Sequence, residues 1–153
     1  MENKTNEVDV MLQNGVDFNI TYFKPNIFQK KIYPEGRKFL MKPATLGTLF
    51  KVSQELNNIK GFEIKDTADD TMINLSVDAA IKYKDNFIKA IALAIVNENK
   101  EPSKKLVSFL NANLQPKEAL ALIALVLSQM GVQDFLGSMV LASQTNLMKV
   151  KTN

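Results

Sequence analysis

Thirty consecutive residues, Ala119 to Met148, carry a single formal charge, Asp134, and nineteen of them are apolar. The run opens with nine apolar residues in a row, ALALIALVL. Such a segment must be buried, either in a core or against another chain. A bilayer is a poor fit, because a spanning helix needs roughly 20 apolar residues, and Ser128, Gln129 and Asp134 interrupt this run. The charges are crowded into the first four-fifths of the chain.

A chain of 153 residues fits one domain at the usual ~100–200 residues per domain. At that size it buries enough surface to fold without a disulfide or a metal. Residues 1–15 read as a flexible polar arm that closes on Asn14-Gly15, a turn dipeptide. Residues 16–153 read as a single domain.

Within that domain, Val16, Phe18, Ile20 and Tyr22 alternate with polar residues, the period of a half-buried strand. Lys24-Pro25-Asn26 breaks it, Ile27–Tyr33 reads as a second strand, and Lys38–Lys42 as a third, stopped by Pro43. After Pro43 the period becomes helical. Thr45 is placed as an N-cap for a helix to about Asn58, ended by Gly61. Residues 62–72 read as an acidic loop or a short strand around Phe62 and Ile64. A long helix is expected over 76–97, with Val77, Ile81, Ile88, Ile91, Ala92 and Ile95 on one face. Asn97–Pro102 reads as a hinge. Shorter helices follow over 104–111 and 116–130, the latter with Pro116 at its first position and Gly131 just past its end. A last helix covers 133–147. The expected fold class is mainly α (α+β), with a small N-terminal β element of two or three strands (16–43) followed by a five-helix bundle (44–148).

The sequence has no histidine and no cysteine, so imidazole bases, thiolate nucleophiles and zinc fingers are excluded. Its six glycines are not clustered into a phosphate loop, and no serine stands in a nucleophile-elbow context. The expectation is a protein that is not an enzyme and uses no cofactor. Asp66, Asp69 and Asp70 form an acidic cluster, but the spacing is not that of a calcium loop. They read as solvated acids before a helix, and no metal site is assigned. The polar N-terminus MENKTNEVDV lacks a signal-peptide core. Together with the absence of cysteine this makes the cytoplasm the expected compartment.

Two surfaces are candidates for binding. Residues 18–43 hold Lys24, Lys30, Lys31, Arg37, Lys38 and Lys42 against Glu35 alone. Interleaved with Tyr22, Phe23, Phe28, Tyr33 and Phe39, these offer charge and stacking to a nucleic acid. The competing reading puts the aromatics in the core and the lysines in water. The second surface is the C-terminal apolar segment, where Leu120, Ile123, Leu127, Phe135, Leu136 and Met139 are nominated as a client or oligomer interface. A helix apolar all round is either central in a core or placed at an interface, and both readings stand. Met130, Met139 and Met148 add adaptable contacts.

Lys38-Phe-Leu-Met-Lys-Pro-Ala-Thr-Leu-Gly-Thr-Leu-Phe50 resembles the strand–proline–helix lead-in of phage tail assembly chaperones. Leu114-Gln-Pro-Lys-Glu118, with the apolar helix after it and then Met130-Gly-Val-Gln-Asp-Phe-Leu136, is similar to their C-terminal segment. The resemblance implies a non-enzymatic, largely helical protein acting in the host cytoplasm. It implies as partners the tape-measure protein, a long apolar helical chain kept soluble during assembly, and the tail tube protein. It also implies self-association into rings or open helical oligomers. A structural virion subunit is a third reading.

Overall fold

The computed structural model describes residues 14–67, 70–74, 77–131 and 140–141. The order of elements is β1 (Val16–Ile20), α1 (Ile27–Ile32), β2 (Arg37–Met41), α2 (Leu46–Asn57), β3 (Glu63–Thr67), β4 (Asp70–Asn74), α3 (Val77–Lys82), α4 (Lys84–Val96), α5 (Lys104–Asn113) and α6 (Pro116–Met130). Among the elements just given, a two-stranded antiparallel sheet is followed by five helices, with a second hairpin between the first two of them, and the fold is mainly α with a small β part.

The alternation in the first strand sets how the hairpin lies on the helices. β1 and β2 pair antiparallel with Val16 opposite Met41, Phe18 opposite Phe39 and Ile20 opposite Arg37. Ile20, Phe39 and Met41 are buried, while Asp17, Asn19, Lys38 and Leu40 face outward. Phe18 stacks on Phe39 at 5.7 Å between ring centroids. Arg37 does not enter this core. Its guanidinium lies over the rings of Phe39 and Phe109, 5.2 and 5.3 Å from their centroids, and so ties the hairpin to α5.

α4 is the centre of the molecule. Its sequence, KDNFIKAIALAIV, is apolar on nearly every side after its first turn, and Phe87, Ile88, Ala90, Ile91, Ala92, Leu93 and Ala94 are all buried. Around it pack α2 through Leu49, Val52 and Leu56, α5 through Leu106 and Leu110, and α6 through Leu122, Ile123, Val126 and Leu127, with β2 closing one side. One continuous hydrophobic cluster results.

Local chemistry fixes most of the helix ends. Thr45 caps α2 by accepting the Thr48 N–H at 3.3 Å, and Ser103 caps α5 by accepting the Leu106 N–H at 3.2 Å. Pro116 opens α6, and the Glu118 carboxylate accepts the Gln115 N–H at 2.9 Å. Gly131 ends that helix with φ of 72°. Asn97, expected as part of a hinge, ends α4 in the left-handed region with φ of 47°. Its amide donates to the Pro43 carbonyl at 2.8 Å and accepts the Thr45 N–H at 2.9 Å. The end of α4 is thereby clamped to the β2–α2 connection.

Two expectations, a strand over 27–33 and a single helix over 76–97, need correction. Residues 27–32 form a helix and not a strand, so the first sheet has two strands. The short strand expected around Ile64 is present as Glu63–Thr67 and pairs with Asp70–Asn74, with Glu63 opposite Asn74 and Thr67 opposite Asp70, in a hairpin that precedes α3. The expected helix 76–97 is two helices that meet at Tyr83, whose φ and ψ are −108° and 23°. The expected arm and the expected helix 133–147 fall mostly outside the described residues, the latter apart from Val140 and Leu141, which are helical.

The central position of α4 has a measurable consequence. Replacing Ile91, which is fully buried, with Ala should cost about 2–5 kcal/mol in urea unfolding. Replacing the exposed Ala124 of α6 with Ser should change stability by no more than about 0.5 kcal/mol.

Candidate functional site

The unusual element is α1. It is a six-residue helix with no buried residue. Asn26 and Gln29 form a reciprocal cap: the Asn26 side chain accepts the Gln29 N–H at 2.8 Å, and the Gln29 side chain accepts the Asn26 N–H at 2.9 Å. At about 100° per residue, Ile27, Phe28 and Ile32 share an arc of roughly 140°. These three side chains are 83%, 76% and 63% exposed. Gln29, on the opposite side, is the only half-buried residue of the helix. The helix is therefore turned with its apolar arc toward water, and Phe23, just ahead of it, is 65% exposed as well.

The aromatic residues at the ends of the connection hold it in this orientation. The ring of Tyr22 meets Phe109 edge-on at 5.3 Å and Tyr33 at 6.1 Å. The Phe23 N–H donates to Asn113 Oδ1 at 3.0 Å. Gly36, with φ of 89°, passes so close to β1 that a Cβ there would lie 2.4 Å from the Ile20 carbonyl oxygen. Only glycine accommodates both the angle and the approach.

The basic residues of this region divide into two groups. Arg37 is engaged with the Phe39 and Phe109 rings, and Lys38 pairs with Asp17 at 3.2 Å. Lys24 lies 5.9 Å from the Phe23 ring centroid. Lys30 and Lys31 are exposed and form no ion pair among the described residues. By helical geometry Lys31 falls within the apolar arc and Lys30 beside it. An apolar patch with uncompensated positive charge is the result.

The C-terminal nominees are separated by the fold. Ile123 and Leu127 are 0% and 1% exposed; they are core residues here and are not available to a second chain. Leu120 is half-buried. It lines a groove of about 240 Å³ where α3, α4, α5 and α6 meet, together with Ile81, Phe87, Ile88, Leu114, Pro116 and Ala119. Lys84 and Asn111 are the polar members of its wall. A second cavity of about 310 Å³ adjoins it through Ile88 and Asn111 and reaches Asp85, Lys89 and Glu101. Phe135, Leu136 and Met139 lie outside the described residues.

Sequence reasoning missed Ile27 and Ile32 as site residues, and it took Phe23 and Phe28 only as partners of lysines. The signal was present in Asn26-Ile-Phe-Gln29, the spacing of a helix cap and its N3 partner. Among the described residues there is no group of three metal-ligating side chains, and no helix is long and apolar enough to cross a membrane.

Comparison with protein families, curated proteins and solved structures finds no match to this chain.

The charged network beside the second cavity makes a prediction of its own. Lys89 Nζ contacts Glu55 at 2.7 Å and Glu101 at 3.6 Å. The hydrogen bond that Lys89 donates to Glu55 is the largest influence and holds the Lys89 pKa above its ordinary value of 10.5, against the opposing effect of burial. A raised folded pKa contributes stability that is complete below the unfolded value and fades as pH rises through the folded one. The stability gap between wild type and Lys89→Met should stay flat from neutral pH to about pH 10 and close above that. A gap that widened in strong alkali would contradict this assignment.

Proposed function

We propose that this chain is a non-enzymatic interaction protein of the phage tail assembly chaperone kind. It self-associates and shields the apolar tape-measure protein in the host cytoplasm while tube subunits assemble. The observation that supports this reading is α1, a capped and anchored helix that exposes Ile27, Phe28 and Ile32. Burying each of those side chains against a partner is worth about 1.5–3 kcal/mol before the costs of association. A helix that presents apolar anchors within one arc is suited to packing on another helix. The resemblance of Lys38–Phe50 and Leu114–Leu136 adds the class of partner, and the absence of His and Cys agrees with a role without chemistry.

The test is co-expression with the long helical chain encoded nearest downstream of this gene. Wild type should keep that chain in the soluble fraction, and Ile27→Asp with Phe28→Asp should lose this effect. The variant's own stability should change by no more than about 0.5 kcal/mol. A neighbourhood of metabolic genes, or equal solubility with the variant, would reject the reading.

A nucleic-acid surface is the second reading. It is favoured by Phe23, Phe28 and Tyr33 standing exposed beside Lys24, Lys30 and Lys31, where bases could stack. The exposed isoleucines of the same arc offer nothing to a base or a phosphate, and they favour a protein partner. Binding to single-stranded DNA or RNA that weakens steeply with added salt would reverse that preference.

A further inference from the structure

We propose that the apolar arc of α1 selects helical segments that carry a carboxylate within their apolar seam, with Lys31 as the residue that sets this specificity. This rests on the reading of α1 as an interaction surface and names the chemistry of its partner.

The order of side chains round α1 points to this partner. At about 100° per residue, Ile27 and Phe28 stand about 100° apart, and Lys31 falls between them, about 40° from Ile27. Ile32 lies about 40° beyond Phe28, and Lys30 about 60° outside Ile27. Both lysines are exposed. A partner that covers Ile27 and Phe28 therefore covers the Lys31 side chain as well. The stem of that lysine adds apolar contact, but its ammonium loses water. Burying a charge without a partner is costly, and a carboxylate that accepts its hydrogen bonds offsets the cost. A segment with only apolar residues along its seam thus meets a penalty that an acid-bearing one escapes.

The charges around the arc agree. Among the described residues Lys24, Lys30 and Lys31 form no ion pair, and the nearby Asp17 is taken by Lys38. Glu35 is the one acid between Tyr22 and Gly36, and it stands beyond the end of the helix. Three lysines against one acid draw an acidic segment and repel a basic one. A lipid surface fits less well. Helices that lie in a membrane interface keep their lysines on the polar face, whereas Lys31 stands between the two side chains that would insert. A helix with a carboxylate in its seam meets that lysine directly, and its apolar residues pack on Ile27, Phe28 and Ile32.

The experiment is fluorescence anisotropy with the full chain and three synthetic helical peptides. The peptides share one leucine seam and differ only in whether glutamate, glutamine or lysine stands within and beside it. Wild type should bind the glutamate peptide at least about tenfold more tightly than the glutamine peptide, and the lysine peptide most weakly. Lys31→Gln should erase most of that preference, and Lys31→Glu should favour the lysine peptide. Lys60→Glu, the same change of charge at an exposed position outside α1, should keep the wild-type order. Ile27→Ser with Phe28→Ser should lose all three peptides. Should Lys31→Glu fray the last turn of α1, Lys31→Gln still decides the matter. Equal affinity of wild type for the glutamate and glutamine peptides, or a loss of preference in Lys60→Glu as large as in Lys31→Glu, would overturn the proposal. Equal affinities that the arc variant abolishes would do so while leaving the proposed function standing. Arc-dependent binding to vesicles containing phosphatidylserine, or arc-dependent self-association, without binding of the glutamate peptide would give the arc another occupant and overturn the proposal as well.

Discussion

Burial of α4 on all sides is the condition that the rest of the structure meets. Ala90, Ala92 and Ala94 keep the helix narrow, so α2, α5 and α6 can approach its axis closely, while Phe87, Ile88, Ile91 and Leu93 fill the spaces between them. Lys89 is the exception in this run, and it is accommodated because Glu55 and Glu101 reach it from α2 and from the segment before α5. The ends of α4 are equally constrained, by the break at Tyr83 on one side and by the Asn97 clamp on the other. The short helix α1, none of whose residues is buried, is left with apolar surface to spare.

The sequence left Ala119–Leu127 open between a central core helix and an interface, and its Leu122, Ile123, Val126 and Leu127 are core residues. Ala119–Leu127 is unbroken by any polar residue, yet Ala121 and Ala124 face solvent in α6. Alanine counts as apolar in a pattern but exposes so little surface that water tolerates it. Residues 84–96 look more polar at first sight, because Lys84, Asp85 and Asn86 open the helix, but from Phe87 to Ala94 every side chain except Lys89 is buried. Termini with chemical markers were legible, as with Thr45, Pro116 and Gly131. The break at Tyr83 was not, since neither proline nor glycine stands there.

For the exposed face of α1 the difficulty was different. Ile27–Tyr33 contains β-branched and aromatic residues in a length suited to a strand, and Pro25 and Pro34 bracket it equally well for either structure. The Asn26–Gln29 cap decides for helix, and it is a short-range signal that outweighs residue preference here. Once the helix forms, the hairpin register and the Tyr22, Phe23 and Gly36 contacts dictate which way it faces. No periodicity within six residues carries that information, because it depends on α5, more than seventy residues away in sequence. Ile123 and Leu127 stayed open between core and interface for a related reason: burial within one chain and burial between two chains leave the same pattern.

The two-ended attachment of α1 has a kinetic meaning. The helix sits between paired strands and is pinned at both ends, so its side chains are held ready before any encounter. A segment that folds as it binds must give up backbone freedom at that moment, and part of the contact energy is consumed. This arc has surrendered that freedom already, on folding of the hairpin. On the proposed reading, association is governed by collision and orientation, and release by how well the partner fits these three side chains.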